Sequence, residues 1–211
     1  AILVDDFQQI TIMLQYLYNK YISNNVFVCG GIDPNNLSDY GRFNEVEYKK
    51  TDRLSRAEKF LTLLGKALID NDFQIYTGFG AGVGNYILSG VLSSKKKNPM
   101  NIDVTNREIH INSLIGVEDN MKTEIRKRMI EQCNSMIVLF GYGNDREKSG
   151  IFQEYDIARE NNNYIIPVSS TGFAAQSIYD EMEKANELPD DFGFLKKEEN
   201  IEDIVDGIIH K

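Results

Sequence analysis

The residues best suited to chemistry form a run with glycine at every second position, Thr77-Gly78-Phe79-Gly80-Ala81-Gly82-Val83-Gly84-Asn85. A strand-like stretch, Phe73-Gln74-Ile75-Tyr76, precedes it, and a helix-like run from Asn85 to Leu92 follows. Glycine permits φ > 0 in a tight strand-to-helix turn and lets a ligand reach bare backbone. The first N–H groups of the following helix lack partners and sit at the positive end of its dipole, so an anion is stabilised there. A phosphate is the usual guest. The spacing is neither the dinucleotide pattern G-x-G-x-x-G nor a P-loop, since no Lys-Ser/Thr follows. The alternative is a turn whose glycines only let helix and sheet pack closely.

Two further groups bear on the same chemistry. Arg126 and Arg128 fall in a predicted helix from Asp119 to Cys133. A guanidinium is a planar fork suited to phosphate, and a solvated basic face fits the spacing equally well. Glu154 lies near the start of a predicted helix, Ile151 to Glu160, that follows Gly141-Tyr142-Gly143-Asn144. There it can accept hydrogen bonds from ribose hydroxyls, or it can simply complement the helix dipole. The two cysteines, Cys29 and Cys133, are far apart and have no metal or redox spacing. The two histidines, His110 and His210, cannot anchor a metal site alone, so no metal and no cofactor is expected.

These residues need a scaffold, and the hydrophobic pattern supplies one. Val26-Phe27-Val28-Cys29 is a continuous apolar run of the kind buried on both faces, and it ends in Gly30-Gly31. Further strands are expected at Phe73–Tyr76, Glu108–Asn112, Ser135–Phe140 and Tyr164–Val168. Between them come helices at Arg53–Asp70, Asn85–Ser93, Asp119–Cys133 and Ile151–Glu160. A helix from about Ala174 and a short one at Ile201–Ile209 close the chain. This alternation predicts an α/β fold, a Rossmann-like doubly wound parallel sheet of about five strands with helices on both faces. Right-handed crossovers put every strand-end loop on one edge. Ligands of such sheets bind at the carboxyl edge, near the switch in strand order. The loops expected there are Cys29-Gly30-Gly31, Thr77 to Gly84, Asn112-Ser113, Gly141 to Asn144 and Ser169 to Gly172. The polar segment from Ile32 to about Asp52 is long for a loop in a compact domain, and such loops are often functional.

Composition excludes several classes. The formal net charge of −9 over 211 residues argues against a nucleic-acid or anionic-membrane surface. The one basic run, Lys95-Lys96-Lys97, reads as a solvated loop. No run approaches the roughly 20 apolar residues of a membrane span. A reducing cytoplasm suits the cysteine usage. The chain starts within an apolar run, Ile2-Leu3-Val4, without a Met. Residues 1–24 are therefore expected to be a connector, strand end plus helix, from an upstream domain. Residues 25–211 are expected to be the nucleotide-binding domain.

The combined pattern resembles the SLOG, or LOG-like, superfamily of Rossmann-type nucleotide-binding domains. The residues carrying it are Gly78–Gly84, Arg126-Lys127-Arg128-Met129, Ser135–Phe140, Gly141–Gly143 and Glu154. Within that superfamily it is similar to the STALD-type C-terminal sensor domain of Thoeris antiphage effectors, which join a Sir2-type NAD-degrading domain to a SLOG domain. Val26–Gly30, Thr77–Gly84 with Gly90-Val91-Leu92, and Glu160–Val168 with Thr171-Gly172 carry that closer likeness. The resemblance implies a sensor for a cyclic ADP-ribose isomer or a related ADP-ribose-derived nucleotide, made by a TIR-domain protein, and a homo-oligomer. The ligand residues expected at the carboxyl edge are Cys29, Gly30, Gly31, Gly78, Phe79, Gly80, Gly82, Val83, Gly84, Asn112, Arg126, Arg128, Gly141, Tyr142, Gly143, Asn144 and Glu154. LOG-type phosphoribohydrolases carry P-G-G-x-G-T with the catalytic Glu close behind. Here the loop is Phe140-Gly141-Tyr142-Gly143-Asn144, and Glu154 stands ten residues past Asn144. That departure favours binding over N-glycoside hydrolysis, the alternative activity; a purely oligomerising module is the third reading. Where an Arg on the third strand would grip phosphate, this chain has Ile111-Asn112.

Overall fold

Apolar runs buried on both faces build the centre of the molecule. In the computed structural model, β1 (Asn25–Gly31) and β4 (Ser135–Phe140) lie side by side, with Val28 opposite Ile137. β2 (Gln74–Thr77) and β3 (Ile109–Ile111) extend the sheet beyond β1, and β5 (Tyr164–Pro167) extends it beyond β4. The order is β3-β2-β1-β4-β5 and every pairing is parallel. The structure describes residues 10–14, 23–32, 50–79, 82–94, 109–114, 116–141, 146, 149–196 and 200–210.

Alternation along the strands sorts the core into two layers. Val26, Val28, Ile75, Ile137 and Leu139 point to one face. That face is covered by α1 (Lys50–Asp70), α2 (Val83–Ser93) and α6 (Ile201–Ile209). Phe27, Cys29, Tyr76, Met136 and Val138 point to the other. That face carries α3 (Asp119–Ile130), α4 (Gly150–Glu160) and α5 (Phe173–Lys184). The amphipathic spacing explains each assignment. On α1 the buried stripe is Ala57, Phe60, Leu61, Leu64 and Leu68, and on α6 it is Ile201, Ile204, Val205, Ile208 and Ile209.

The doubly wound α/β class expected from the sequence is the class observed. Two 3-10 segments, Ser169–Thr171 and Asp190–Lys196, had no helix assigned to them. The connector expected at 1–24 lies outside the described residues, apart from a helical stretch at 10–14 and the turn at 23–24. Gly80, the Lys95–Lys97 run, most of the polar segment from Ile32 to Asp52, and Tyr142, Gly143 and Asn144 also lie outside them.

The topology fixes where a ligand can approach. After β1 the chain turns to the first face, and after β4 it turns to the second. The two crossovers diverge between adjacent strands, which opens a crevice at their carboxyl ends. Gly30, Gly31 and Gly141 line that point, and Gly141 N donates to Gly31 O at 3.0 Å.

Candidate functional site

Every helix that follows a strand of this parallel sheet begins at its carboxyl edge, and three of them, α2, α4 and α5, start alike. None has a side-chain hydrogen bond capping its start, and none carries an acidic residue in its first turn. Their N-cap positions are Gly82, Ser149 and Gly172. Helix starts without side-chain caps, each at the positive end of its dipole, therefore face the same edge. α3 differs, with Asp119 in its first turn.

The glycines of the Gly78–Gly84 run divide by role. Gly82 has φ of 80°, and a Cβ there would press on Ile32 at 3.1 Å. At Gly84 a Cβ would stand 2.6 Å from the ring of Phe79. Both are bare because the chain packs there, so the packing alternative holds at these two positions. Gly78 is different: a Cβ there would stand 3.5 Å from Leu114 and 3.8 Å from Glu154 Oε1, ordinary contact distances. Val83 is fully buried and offers only its backbone. Phe79 sits at φ of 55°, with its N–H donating to Thr77 Oγ1 at 3.2 Å.

Glu154 is the centre of the arrangement on the second face. It lies in the second turn of α4 and is only 7% exposed. A first-turn dipole partner it is not, since that turn holds no acid. Arg126 reaches across from α3, and its Nε donates to Glu154 Oε1 at 3.1 Å. Its Nη1 donates to Gln153 Oε1 at 2.9 Å. The remaining nitrogen, Nη2, lies against Gly150, where a Cβ would stand only 2.5 Å away. Gly150 is thus kept bare so that the guanidinium can lie across the first turn of α4. From β1 the Cys29 thiol stands close enough to the same carboxylate to favour its charged form. Burial pushes the Glu154 carboxyl up to about 7, against the pull of Arg126 and Cys29. Burial and the neighbouring carboxylate push the Cys29 thiol well above its usual range.

Arg126 and Arg128, two residues apart, part company. Arg128 lies in the last turn of α3 with 74% of its side chain exposed, paired with Glu124 at 3.0 Å. The structure places it with the solvated face, not with Glu154. Asn112 sits at the carboxyl end of β3, exposed, its N–H bonded to Thr77 O at 3.1 Å. It is two strands away from the crevice. The structure brings Cys29, Gly78 and Arg126 to Glu154, and it joins Gly31 to Gly141 at the neighbouring strand ends, beside Gly30.

Some contributors carried no singled-out signal. Thr171 Oγ1 accepts from Phe140 N at 2.7 Å and donates to Val168 O at 2.6 Å, closing the β4 and β5 ends together. Ser170 Oγ beside it is buried and makes no hydrogen bond. Gln153 and Gly150 act through Arg126. A Ser-Gly pair at a helix start was the available hint for Gly150. Two clefts of about 400 Å³ lie elsewhere, one between α1 and the start of α6 and one beside the start of β5. Neither receives any of these residues.

A family model described as "STALD: Sir2- and TIR-associating SLOG family" matches residues 9–210. Curated relatives share the name "NAD(+) hydrolase ThsA". The relative from Bacillus cereus (strain MSX-D12) is 28% identical over 223 aligned residues, covering 99% of this chain and 44% of its own length. That from Enterococcus faecium is 27% identical over 188, covering 86% of this chain and 36% of its own length. That from Cytobacillus dafuensis is 25% identical over 189, covering 85% and 36%. The chain therefore spans less than half the length of these relatives. No helix among the described residues is long and apolar enough to cross a membrane.

Proposed function

The chain belongs to the Sir2- and TIR-associating SLOG family, and from that premise we propose that it is a sensor. Its ligand is an ADP-ribose-derived signalling nucleotide, a cyclic ADP-ribose isomer, made by a TIR-domain protein. Binding switches on an attached Sir2-type NAD-degrading domain in antiphage defence, within a homo-oligomer in the cytoplasm. The observation that carries this reading is the carboxyl edge itself. Three uncapped helix starts open there, beside the crevice where the crossovers diverge, and Arg126 is held at one of them. Such an edge takes phosphates by backbone N–H groups and a fixed cation. Of the glycines on this edge Gly78 leaves room for a ligand near backbone, whereas Gly30 and Gly141 are bare because Leu139, Ile151 and Ala174 pack where a Cβ would stand. The relatives' name, NAD(+) hydrolase, supports the link to NAD degradation.

Binding without turnover fits the state of Glu154. A general acid must meet the leaving group within hydrogen-bond reach. This carboxylate is instead enclosed by Arg126, Cys29 and its own helix. Titration calorimetry against cyclic ADP-ribose isomers, ADP-ribose and NAD tests the reading. Saturable heat with at least one cyclic isomer is expected. No heat with any of them ends it. Steady release of free base from a nucleotide monophosphate would instead establish the hydrolase alternative.

A further inference from the structure

Glu154 is where three elements meet. Cys29 comes from β1, Arg126 from α3, and Gln153 from α4 itself. The end of β2 offers only Gly78, with Leu114 beside it. Asp119 acts on Arg126 from the first turn of α3 and is exposed. Among the described residues no other charged group bears on this carboxylate.

We propose that nucleotide binding at the carboxyl edge is coupled to the uptake of one proton by Glu154, so that the domain reads proton activity together with its ligand. This rests on the nucleotide-sensing reading above. Arg126 has committed Nε to Glu154 and Nη1 to Gln153, while Nη2 lies at the first turn of α4. A phosphate seated on that helix start draws on the same guanidinium charge. Glu154 then loses part of the attraction that keeps it ionised. A buried carboxylate that loses its counter-charge neutralises rather than stay charged. The proton comes from solvent and goes onto the carboxylate of Glu154, whose Oε1 continues to accept from Arg126. No covalent bond other than that O–H forms or breaks.

The direction follows from linkage. Glu154 in the free domain titrates at about 7 because of burial. The ligand pushes it higher, so the complex holds more protons than the free domain above that point. Affinity is therefore flat below about pH 6 and falls as pH rises through and above 7, by at most about tenfold per unit, until the bound carboxyl also ionises. The pyrophosphate of an ADP-ribose nucleotide is already fully ionised there and adds no titration of its own.

The test is calorimetry of the chain with cyclic ADP-ribose isomers, at pH 7.5, in two buffers of different ionisation enthalpy. Uptake of between about 0.3 and 0.75 proton per site is expected, since the free carboxyl already holds about a quarter of a proton at that pH, with affinity falling from pH 7 to pH 9. Glu154→Gln keeps an acceptor for Arg126 Nε but cannot take up a proton, so the affinity it retains should show no uptake and a flat pH profile. Binding by the wild type with no buffer-dependent heat overturns the proposal alone, as does uptake that persists in Glu154→Gln. No binding at any pH overturns the sensing reading and this inference with it. Should Glu154→Gln not fold, infrared difference spectra of the wild type decide. A protonated carboxyl band gained on binding supports the coupling, and its absence overturns it.

Discussion

The two edges of the sheet turn the chain with different residues. At the amino edge the helix-to-strand turns use Asp72 and Asn162 at positive φ, and Asn186 ends α5 in the same way. Asp and Asn tolerate the left-handed region at little cost. The same edge is cross-tied by amides. Asn25 Nδ2 donates to Gln132 O at 2.7 Å, Asn71 Nδ2 to Ala67 O at 2.9 Å, and Asn163 Nδ2 to Cys133 O at 2.5 Å. At the carboxyl edge the positive-φ residues other than glycine, among the described residues, are Phe79, Phe140 and Phe173. A phenylalanine pays about 1–2 kcal/mol for that conformation. The helix starts beside them are uncapped. One edge is turned by Asp and Asn and tied by amide donors; the other keeps strained phenylalanines and helix starts without side-chain caps, as functional sites do. The lesson is that the local chemistry of a turn distinguishes a structural edge from a binding edge within one regular sheet.

The strongest way to break this contrast is Arg126→Ala. It removes the cation from the binding edge and strands Glu154. Breaking a buried ion pair costs about 3–5 kcal/mol, because the surviving charge is uncompensated. The loss should be seen in denaturant melts at pH 8 and should shrink at pH 5, where the carboxyl is neutral. Nucleotide affinity should fall by about tens of fold. Adding Glu154→Gln to Arg126→Ala should restore the stability and leave the binding lost. Recovery of both would show that Arg126 serves packing only.

Glu154→Gln alone sharpens the same edge. The folded carboxyl titrates at about 7, above its ordinary 4.5. Between those values the folded state holds the extra proton, so stability falls as pH rises through that window. The cost is fully present above about 7, on the order of 3 kcal/mol. Subtracting the variant's melting curve from the wild type's should isolate that slope. Paired carboxylates such as Glu202, held low chiefly by its hydrogen bond from Lys59, act in the opposite direction and cancel in the difference. A difference independent of pH from 4.5 to 8 would mean that Glu154 is not buried in the way described.

At the amino edge the expected effect is smaller and of another kind. Asn163→Ala leaves Cys133 O without its side-chain donor. That should lower stability by about 1–2 kcal/mol while nucleotide affinity, read by calorimetry, stays unchanged. A loss of affinity matching that of Arg126→Ala would erase the distinction between the edges.

The sequence carries this contrast unevenly. Ser135–Phe140 and Ile201–Ile209 were legible because burial on both faces and a 3.6-residue stripe each leave a strong local period. The parallel sheet followed from the alternation of such segments. The 3-10 segment Asp190–Lys196 did not, since so short a turn leaves no period, although Phe192 and Leu195 are buried. At the site, Gly78–Gly84 was legible as a turn. Whether each glycine faces a ligand or a neighbour was not, because the answer depends on Phe79 and Ile32. The Cys29, Arg126 and Glu154 cluster joins residues far apart in sequence, and only the tertiary fold sets their separation. Arg126 and Arg128 looked equivalent in sequence, yet helical rotation over two residues sends one inward and the other to solvent.

That last pair supplies the finest test. Arg128→Ala removes a charge of the same type, from the same helix, close to Arg126. Its pairing with Glu124 is an exposed i,i+4 contact, with 74% and 58% of the two side chains exposed. Such pairs contribute about 0.3–0.5 kcal/mol and are screened by salt. The expected outcome is a melt almost superimposable on the wild type and an unchanged calorimetric isotherm at physiological ionic strength. The long-range effect of one exposed charge on an anionic ligand is screened beyond roughly 8 Å there. If Arg128→Ala weakens binding as much as Arg126→Ala, with both variants folded by circular dichroism, then general positive potential along α3 attracts the ligand. The fixed guanidinium at the start of α4 would then not be what the nucleotide recognises.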